Sequence, residues 1–367
     1  MKKKLCAFLA AISLVLLVVP SINLYHALAT QNSEKWWKRK VLYNMDFILP
    51  TLSKIVYPMG FSIDPERTII GKDGWLYLGD AYTDSITAKR TGFTLNDINT
   101  LEKIAKSAAS WNSWLKSHGV QAFHIILGPD KDSIYPEYLP LWSRHAPQSL
   151  TDALLNRVQA DIYVNPATRL KQEKNSHAGS LYYKTDTHWN NLGAWLAFDE
   201  FSKQLATTHP ELEWLRPPEG KLSSIVQRQG GDLAGFLRIQ SALADHEVIL
   251  DLPEYAIPIE HYDFESGILA FAGQNDPVAA PMAPLLVKSK QALNTKKVLW
   301  LRDSFGTAMA PFMAATFSDT LQVHYRALKP GALAELVERY RPDYVFITAV
   351  ERDSRGAFFQ TLAPGDD

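Results

Sequence analysis

The apolar positions change their spacing several times along the chain, and each change marks an element. At Leu95, Ile98, Leu101, Ile104, Ala105, Ala108, Trp111 and Leu115 they recur every three or four residues. That is one face of an α-helix, with Thr94 placed to cap its start and Gly119 to stop it. Residues 120–127 then form an apolar run that reads as a buried strand, and 161–164, 298–301 and 344–350 are further short apolar or β-branched runs separated by helical spacing. One such helical stretch carries Leu192, Trp195, Leu196, Phe201 and Leu205, and another carries Met309, Phe312, Met313 and Phe317. Strands alternating with helices predict a three-layer α/β domain built on a largely parallel sheet. Two short β-prone runs around Asp73-Gly74, from Ile69 to Leu78, predict a hairpin. It opens a domain expected over 69–355. Within that domain, 220–294 is richer in proline and glycine and only weakly periodic, so an elaborated insertion is expected there. A tail follows at 356–367.

The first 32 residues break this pattern. Lys2, Lys3 and Lys4 precede an apolar run from Leu5 to Val19 that only Ser13 interrupts, the order of an export signal. Ala27-Leu28-Ala29 offers a small-x-small cleavage site, while Leu5 to Leu24 nearly reaches the roughly 20 residues that span a bilayer. A signal anchor is preferred over a cleaved signal peptide. The positive-inside rule then leaves the lysines in the cytoplasm and the body outside. Residues 33–68, with Trp36, Trp37 and Lys38-Arg39-Lys40, read as a stalk or leading segment.

Composition narrows the function. Hydrophobic residues are 46% and charged ones 21%, typical of a folded protein, and the net charge of -1 comes without the basic stripe that nucleic acid requires. The one cysteine, Cys6, lies in the first apolar run, which leaves the folded part no disulfide and no thiolate metal cluster. The ten tryptophans invite a carbohydrate reading, although most large aromatics serve the core.

The candidate chemistry sits in two segments. In Val298-Leu299-Trp300-Leu301-Arg302-Asp303-Ser304-Phe305-Gly306 a buried strand ends at a serine and a helix follows. A hydroxyl at a helix N-terminus has backbone N–H groups and the positive end of the dipole beside it, which can hold an oxyanion. A plain N-cap serine is the ordinary alternative. In Thr185-Asp186-Thr187-His188-Trp189, Asp and His two apart put both side chains on one side of an extended segment. The carboxylate can orient the imidazole, whose other nitrogen takes a proton from a serine. A structural hydrogen bond or a metal site fits the pair equally well. Lys131 and Tyr135, in 127–136 beyond a strand end, are candidate substrate contacts; Trp189 is a candidate sugar platform, and Glu351-Arg352 a positioning ion pair or a solvated end. Gly273-Gln274-Asn275-Asp276 precedes the serine and is expected to be a turn.

Gly71-Lys72-Asp73-Gly74-Trp75-Leu76, Pro129-Asp130-Lys131 with Ile134-Tyr135-Pro136, Thr185-Asp186-Thr187-His188-Trp189, Gly231-Asp232-Leu233 and Asp303-Ser304-Phe305, in this order, resemble the motif set of the alginate O-acetyltransferase (AlgJ/AlgX-like) family of SGNH hydrolase-like proteins. The resemblance covers 69–352. It implies an SGNH-like α/β domain acting in the periplasm on an exopolysaccharide, with acetyl supplied by a membrane-bound O-acyltransferase. By position it assigns Ser304 as nucleophile, His188 as base and Asp186 as its orienting acid. Arg302 stands where the family often has glycine, which would bring a positive charge near the oxyanion or an anionic substrate. Acetyl transfer through this triad needs no metal or other cofactor. Three rivals stay open on the residues: an acetylesterase with the same triad, a polysaccharide-binding scaffold without turnover, and a metallohydrolase using Asp186, His188 and a partner such as His324.

Overall fold

A computed structural model describes residues 2–29, 37–92, 94–147, 149–159, 161–177, 179–217, 222–250, 256–329 and 331–366. Trp36 of the expected stalk lies outside them. The chain divides into two compact units: 1–63 with 237–239, and 64–236 with 240–367.

In the first unit the helix Lys2–Ala29 holds a 22-residue stretch, Phe8–Ala29, of mean hydropathy 2.2. By length and composition it is able to cross a membrane. A second short helix, Leu49–Val56, has Pro50 in its first turn, where the missing N–H costs nothing.

The second unit opens with strands β1 (Thr68–Ile70) and β2 (Leu76–Leu78), paired antiparallel. Asp73 and Gly74, at φ 54 and 79, turn the chain between them in the left-handed region that Asp-Gly favours. The helix Leu95–Ser117 begins as expected: the Thr94 hydroxyl accepts the Asp97 N–H while the Asp97 carboxylate accepts the Thr94 N–H, a closed capping box.

The remaining strands are β3 (Ala122–Gly128), β4 (Tyr163–Val164), β5 (Leu222–Gln229), β6 (Ala244–Leu250), β7 (Pro258–Asp263), β8 (Leu269–Gln274), β9 (Leu285–Lys288), β10 (Asn294–Arg302), β11 (Phe317–Val323) and β12 (Tyr344–Val350). Eight of them form one sheet in the order β4-β3-β12-β10-β11-β9-β7-β8. The pairs from β4 to β11 are parallel, and those from β11 through β9 and β7 to β8 are antiparallel.

Burial on both faces explains the apolar runs of the parallel half. Along β12, Tyr344, Phe346 and Val350 enter one core and Val345, Ile347 and Ala349 the other; Val298 and Trp300 of β10 oppose Leu299 and Leu301 in the same way. Helices Asn191–Ala206 and Gly306–Thr316 cover the first face, Leu95–Ser117 and Ala332–Tyr340 the second. This is the three-layer α/β arrangement, with a mixed sheet.

The proline- and glycine-rich region does two jobs. β5 and β6 pair as a separate hairpin, whereas β7, β8 and β9 extend the main sheet. Gly273 and Gln274, expected as part of a turn, are the last residues of β8 and pair with Ile259 and Pro258; the chain leaves the strand at Asn275, which is buried, its Nδ2 donating to the Pro311 carbonyl at 2.6 Å.

Candidate active site

Ser304 stands two residues beyond β10 and two before the helix Gly306–Thr316. It does not cap that helix with its side chain, and it is solvent-exposed. The turn is fixed by its neighbour: the Asp303 carboxylate accepts the Phe305 N–H at 2.9 Å, the Val350 N–H at 2.7 Å and the Tyr325 hydroxyl at 3.1 Å. Burial raises the Asp303 pKa, against the pull of those two N–H bonds. One carboxylate thus ties the serine turn to the end of β12 and to the segment after β11.

His188 approaches from an irregular loop. Its Nε2 lies 2.7 Å from the Ser304 hydroxyl and its Nδ1 2.6 Å from Asp186 Oδ1. Asp186 Oδ1 also accepts the His188 backbone N–H at 3.1 Å. Burial works against the charged Asp186, but its bonds to His188 and the nearby Lys131 outweigh that and bring its pKa down to about 2. Burial likewise disfavours the imidazolium, yet the Asp186 bond and charge, with Asp232 behind them, raise the His188 pKa above its ordinary value.

The loop is held from outside itself. The Lys131 ammonium donates to the carbonyls of Tyr183, Lys184 and Asp186 at 3.0, 2.9 and 2.7 Å, and burial lowers its pKa to about 8. Asp245 of β6 accepts the Lys184 and Thr185 N–H groups and the Thr185 hydroxyl, at 3.1, 2.7 and 2.7 Å. Asp232 accepts the Thr187 N–H and hydroxyl at 2.8 and 2.6 Å. Gly231 packs so close that a Cβ there would lie 2.3 Å from the Asp186 Cβ. Only glycine fits.

The structure brings Asp186, His188 and Ser304 together and turns most of the other candidates inward. Lys131 has no free donor face, because three carbonyls surround its ammonium. Tyr135 is buried, accepting the Leu181 N–H on its hydroxyl. Trp189 is 1% exposed, donates to the Phe305 carbonyl and packs edge-on to the Phe305 ring, so no face is left for a sugar. Arg302 is wholly buried, donating to Gln322 and to the carbonyls of Val278 and Ala279. Its guanidinium is taken up by these buried acceptors, and Arg302 does not border the cavity at Ser304. These four residues build the frame. Arg352 is paired with Asp130, its guanidinium carbon 5.9 Å from the Phe305 ring centre. It also borders a cavity of about 390 Å³ with Trp111, Tyr325 and Lys329. His324 does not join Asp186 and His188 at ligand spacing; among the described residues the third group there is Asp232, whose oxygens already serve Thr187.

A second cavity, of about 330 Å³, opens on Ser304 and His188 and is bordered by Tyr183, Arg228, Glu247 and Thr307. Arg228 and Glu247 project from the β5–β6 hairpin and were not legible as site residues. Only Gly231-Asp232 hinted that this region reaches the site.

An exposed serine, a histidine and a buried aspartate joined by hydrogen bonds at a strand-to-helix turn of an α/β sheet have the geometry of a Ser-His-Asp triad. A family model for the SGNH hydrolase-like domain of acetyltransferase AlgX matches residues 68–257, and the chain belongs to that family. The match takes in the Asp186–His188 loop and its supports and ends before Ser304. A probable alginate O-acetylase AlgJ from Pseudomonas putida is 24% identical over 328 residues, 82% of this chain and 78% of that protein. Among solved structures, Bacillus cereus PatB1 superposes with TM-score 0.58 at 16% identity, covering 81% of this chain and 100% of its own. A DHHW family protein from Eubacterium siraeum gives TM-score 0.54 at 16% identity, covering 80% and 93%. These two likenesses concern the fold.

Proposed function

We propose that the protein is an exported O-acetyltransferase that carries acetyl through an ester on Ser304 to a hydroxyl of an exopolysaccharide. His188 takes the Ser304 proton as the hydroxyl attacks a donor ester, then returns it to the departing alcohol. In the second half it deprotonates a sugar hydroxyl that attacks the acetyl-serine and finally reprotonates Ser304. Asp186 holds the tautomer with Nε2 free and stabilises the imidazolium. The positive end of the Gly306–Thr316 helix faces the developing oxyanion.

The observation that carries this reading is the unbroken relay from Asp186 Oδ1 through His188 to the exposed Ser304 hydroxyl, at 2.6 and 2.7 Å. Transfer, in preference to hydrolysis, is supported by membership of the AlgX acetyltransferase family and by likeness to an alginate O-acetylase. The Phe8–Ala29 helix supports anchoring at the inner membrane with the body in the periplasm, where a membrane-bound O-acyltransferase would supply acetyl. The scaffold alternative drew on Arg302, and its inward placement removes that ground. Release of the alcohol from a chromogenic acetyl ester, followed with and without an oligosaccharide acceptor, tests the proposal. Wild type releases alcohol and yields acetylated oligosaccharide; Ser304→Ala does neither. Undiminished turnover in Ser304→Ala would overturn it.

A further inference from the structure

We infer that the subsite beside Ser304 accepts a neutral sugar ring and disfavours a uronate, with Glu247 and Arg228 reading a pair of ring oxygens. This rests on the acyl-serine reading above and names its acceptor class.

The hairpin register sets Arg228 and Glu247 on one side of the ribbon. Val226 faces Glu247 and Arg228 faces Asp245 across β5–β6, so Arg228, two residues on from Val226, shares the Glu247 side of the ribbon. Both border the cavity that holds Ser304, His188 and Thr307. The Arg228 guanidinium carbon sits 4.1 Å from the Tyr183 ring centre, with nitrogens 3.6 Å from Glu247 and 4.0 Å from Asp186. Stacking and charge fix it in place, while those separations exceed hydrogen-bond length and leave N–H donors open. Glu247 Oε2 accepts the Tyr183 hydroxyl, whereas Oε1 is buried and has no partner. A buried carboxylate oxygen without a donor is costly. It is met by a ligand O–H. An unpaired acceptor at the cavity wall beside open donors matches adjacent oxygens of a sugar, one hydroxyl giving its proton to Glu247 and the next oxygen accepting from Arg228.

Charge selects which sugar. Among the described residues bordering the cavity, the carboxylates of Asp186 and Glu247 stand against the one guanidinium of Arg228. A third carboxylate, Asp232, lies 3.9 Å from His188 Nδ1. Of the nearby cations, Lys131 acts on Asp186 but has Asp232 and Asp245 about it as well, and Arg352 is held by Asp130. A uronate carboxylate would enter a negative field and compete with Glu247 for Arg228. A neutral hexose meets neither obstacle.

The experiment compares acetyl transfer by the full-length protein in detergent to a neutral β-linked glucose hexasaccharide and to a mannuronate hexasaccharide. The inference expects kcat/KM at least about tenfold higher for the neutral acceptor, a gap that added salt narrows because it screens the repulsion. Glu247→Gln raises KM for the neutral acceptor more than it lowers kcat and shrinks the preference; Arg228→Met raises KM for both. Equal or better use of the uronate, or a preference that Glu247→Gln leaves unchanged, would overturn the inference. Calorimetric binding of the two hexasaccharides to Ser304→Ala reads the same preference without turnover. A wild type that releases no alcohol from the acetyl ester counts against the serine reading, and the binding preference still decides the acceptor class.

Discussion

Ser304 and His188 meet at 2.7 Å from opposite kinds of ground. The serine turn is a local construction: β10 ends, Asp303 folds its carboxylate onto the next turn and onto β12, and a helix begins within four residues. The histidine loop has neither strand nor helix of its own through Lys184–His188. Its shape is imposed by Lys131, Asp232 and Asp245, contributed by three separate parts of the chain, and by the close approach of Gly231. The proposed nucleophile is thus placed by secondary structure and the proposed base by buried polar contacts. Damage to the second should be broader, because an unpaired buried polar group costs more than its bond contributed.

That contrast can be broken from either side. The largest effect is expected for Asp186→Asn, which keeps the shape but lets the imidazole take the wrong tautomer. The rate of acetyl ester turnover should fall by on the order of 10⁴-fold with the circular dichroism spectrum unchanged. A fall of less than tenfold would mean that Asp186 does not orient the base.

Next comes Lys131→Met, which strips the donor from three carbonyls of the histidine loop. At roughly 1–3 kcal/mol for each buried unsatisfied group, urea unfolding should report a loss of about 3 kcal/mol or more. Unchanged stability would show that the ammonium does not hold the loop. Gly231→Ala is milder, since a methyl at 2.3 Å from Asp186 forces a small displacement. About 1–3 kcal/mol of stability should go, with a larger proportional loss in kcat than in KM. An alanine variant of wild-type rate would remove the need for glycine there.

The smallest effect is on pH dependence. As the proposed base His188 acts in its neutral form, and its pKa is raised, so activity should be lost as pH falls through a value above the ordinary imidazole range. Asp232 contributes to that rise, so Asp232→Asn should move the rising limb of the rate profile to lower pH. A limb that stays in place, or moves up, contradicts the assigned electrostatics.

The same contrast governs what could be read from the sequence. β3, β10 and β12 announced themselves because burial on both faces demands continuous apolar runs, and the Leu95–Ser117 helix because one face is buried and its cap is local. Ser304 was legible for the same reason. β8 carries most of the short apolar run 268–272 but lies mostly exposed at the sheet edge, in sequence rich in proline and glycine, so the antiparallel half was taken for an insertion. The Asp186–His188 pair was visible as a spacing. Its supports were not recognised as such, since nothing local in Lys131, Asp232 or Asp245 tells a charge folded inward from one on a solvated surface. Lys131, Tyr135, Trp189 and Arg302 were assigned to substrate, whereas burial makes them part of the frame.

The central claim is that acetyl passes through Ser304. It is tested most directly by mixing the protein with an excess of a chromogenic acetyl ester, quenching in acid within the first turnovers and mapping the modified peptide by mass spectrometry. One acetyl group on the peptide containing Ser304, absent from Ser304→Ala and strongly reduced in His188→Ala, is the predicted result. Steady turnover with Ser304 unmodified, or acetyl found on another residue that wild type and Ser304→Ala label alike, would contradict it.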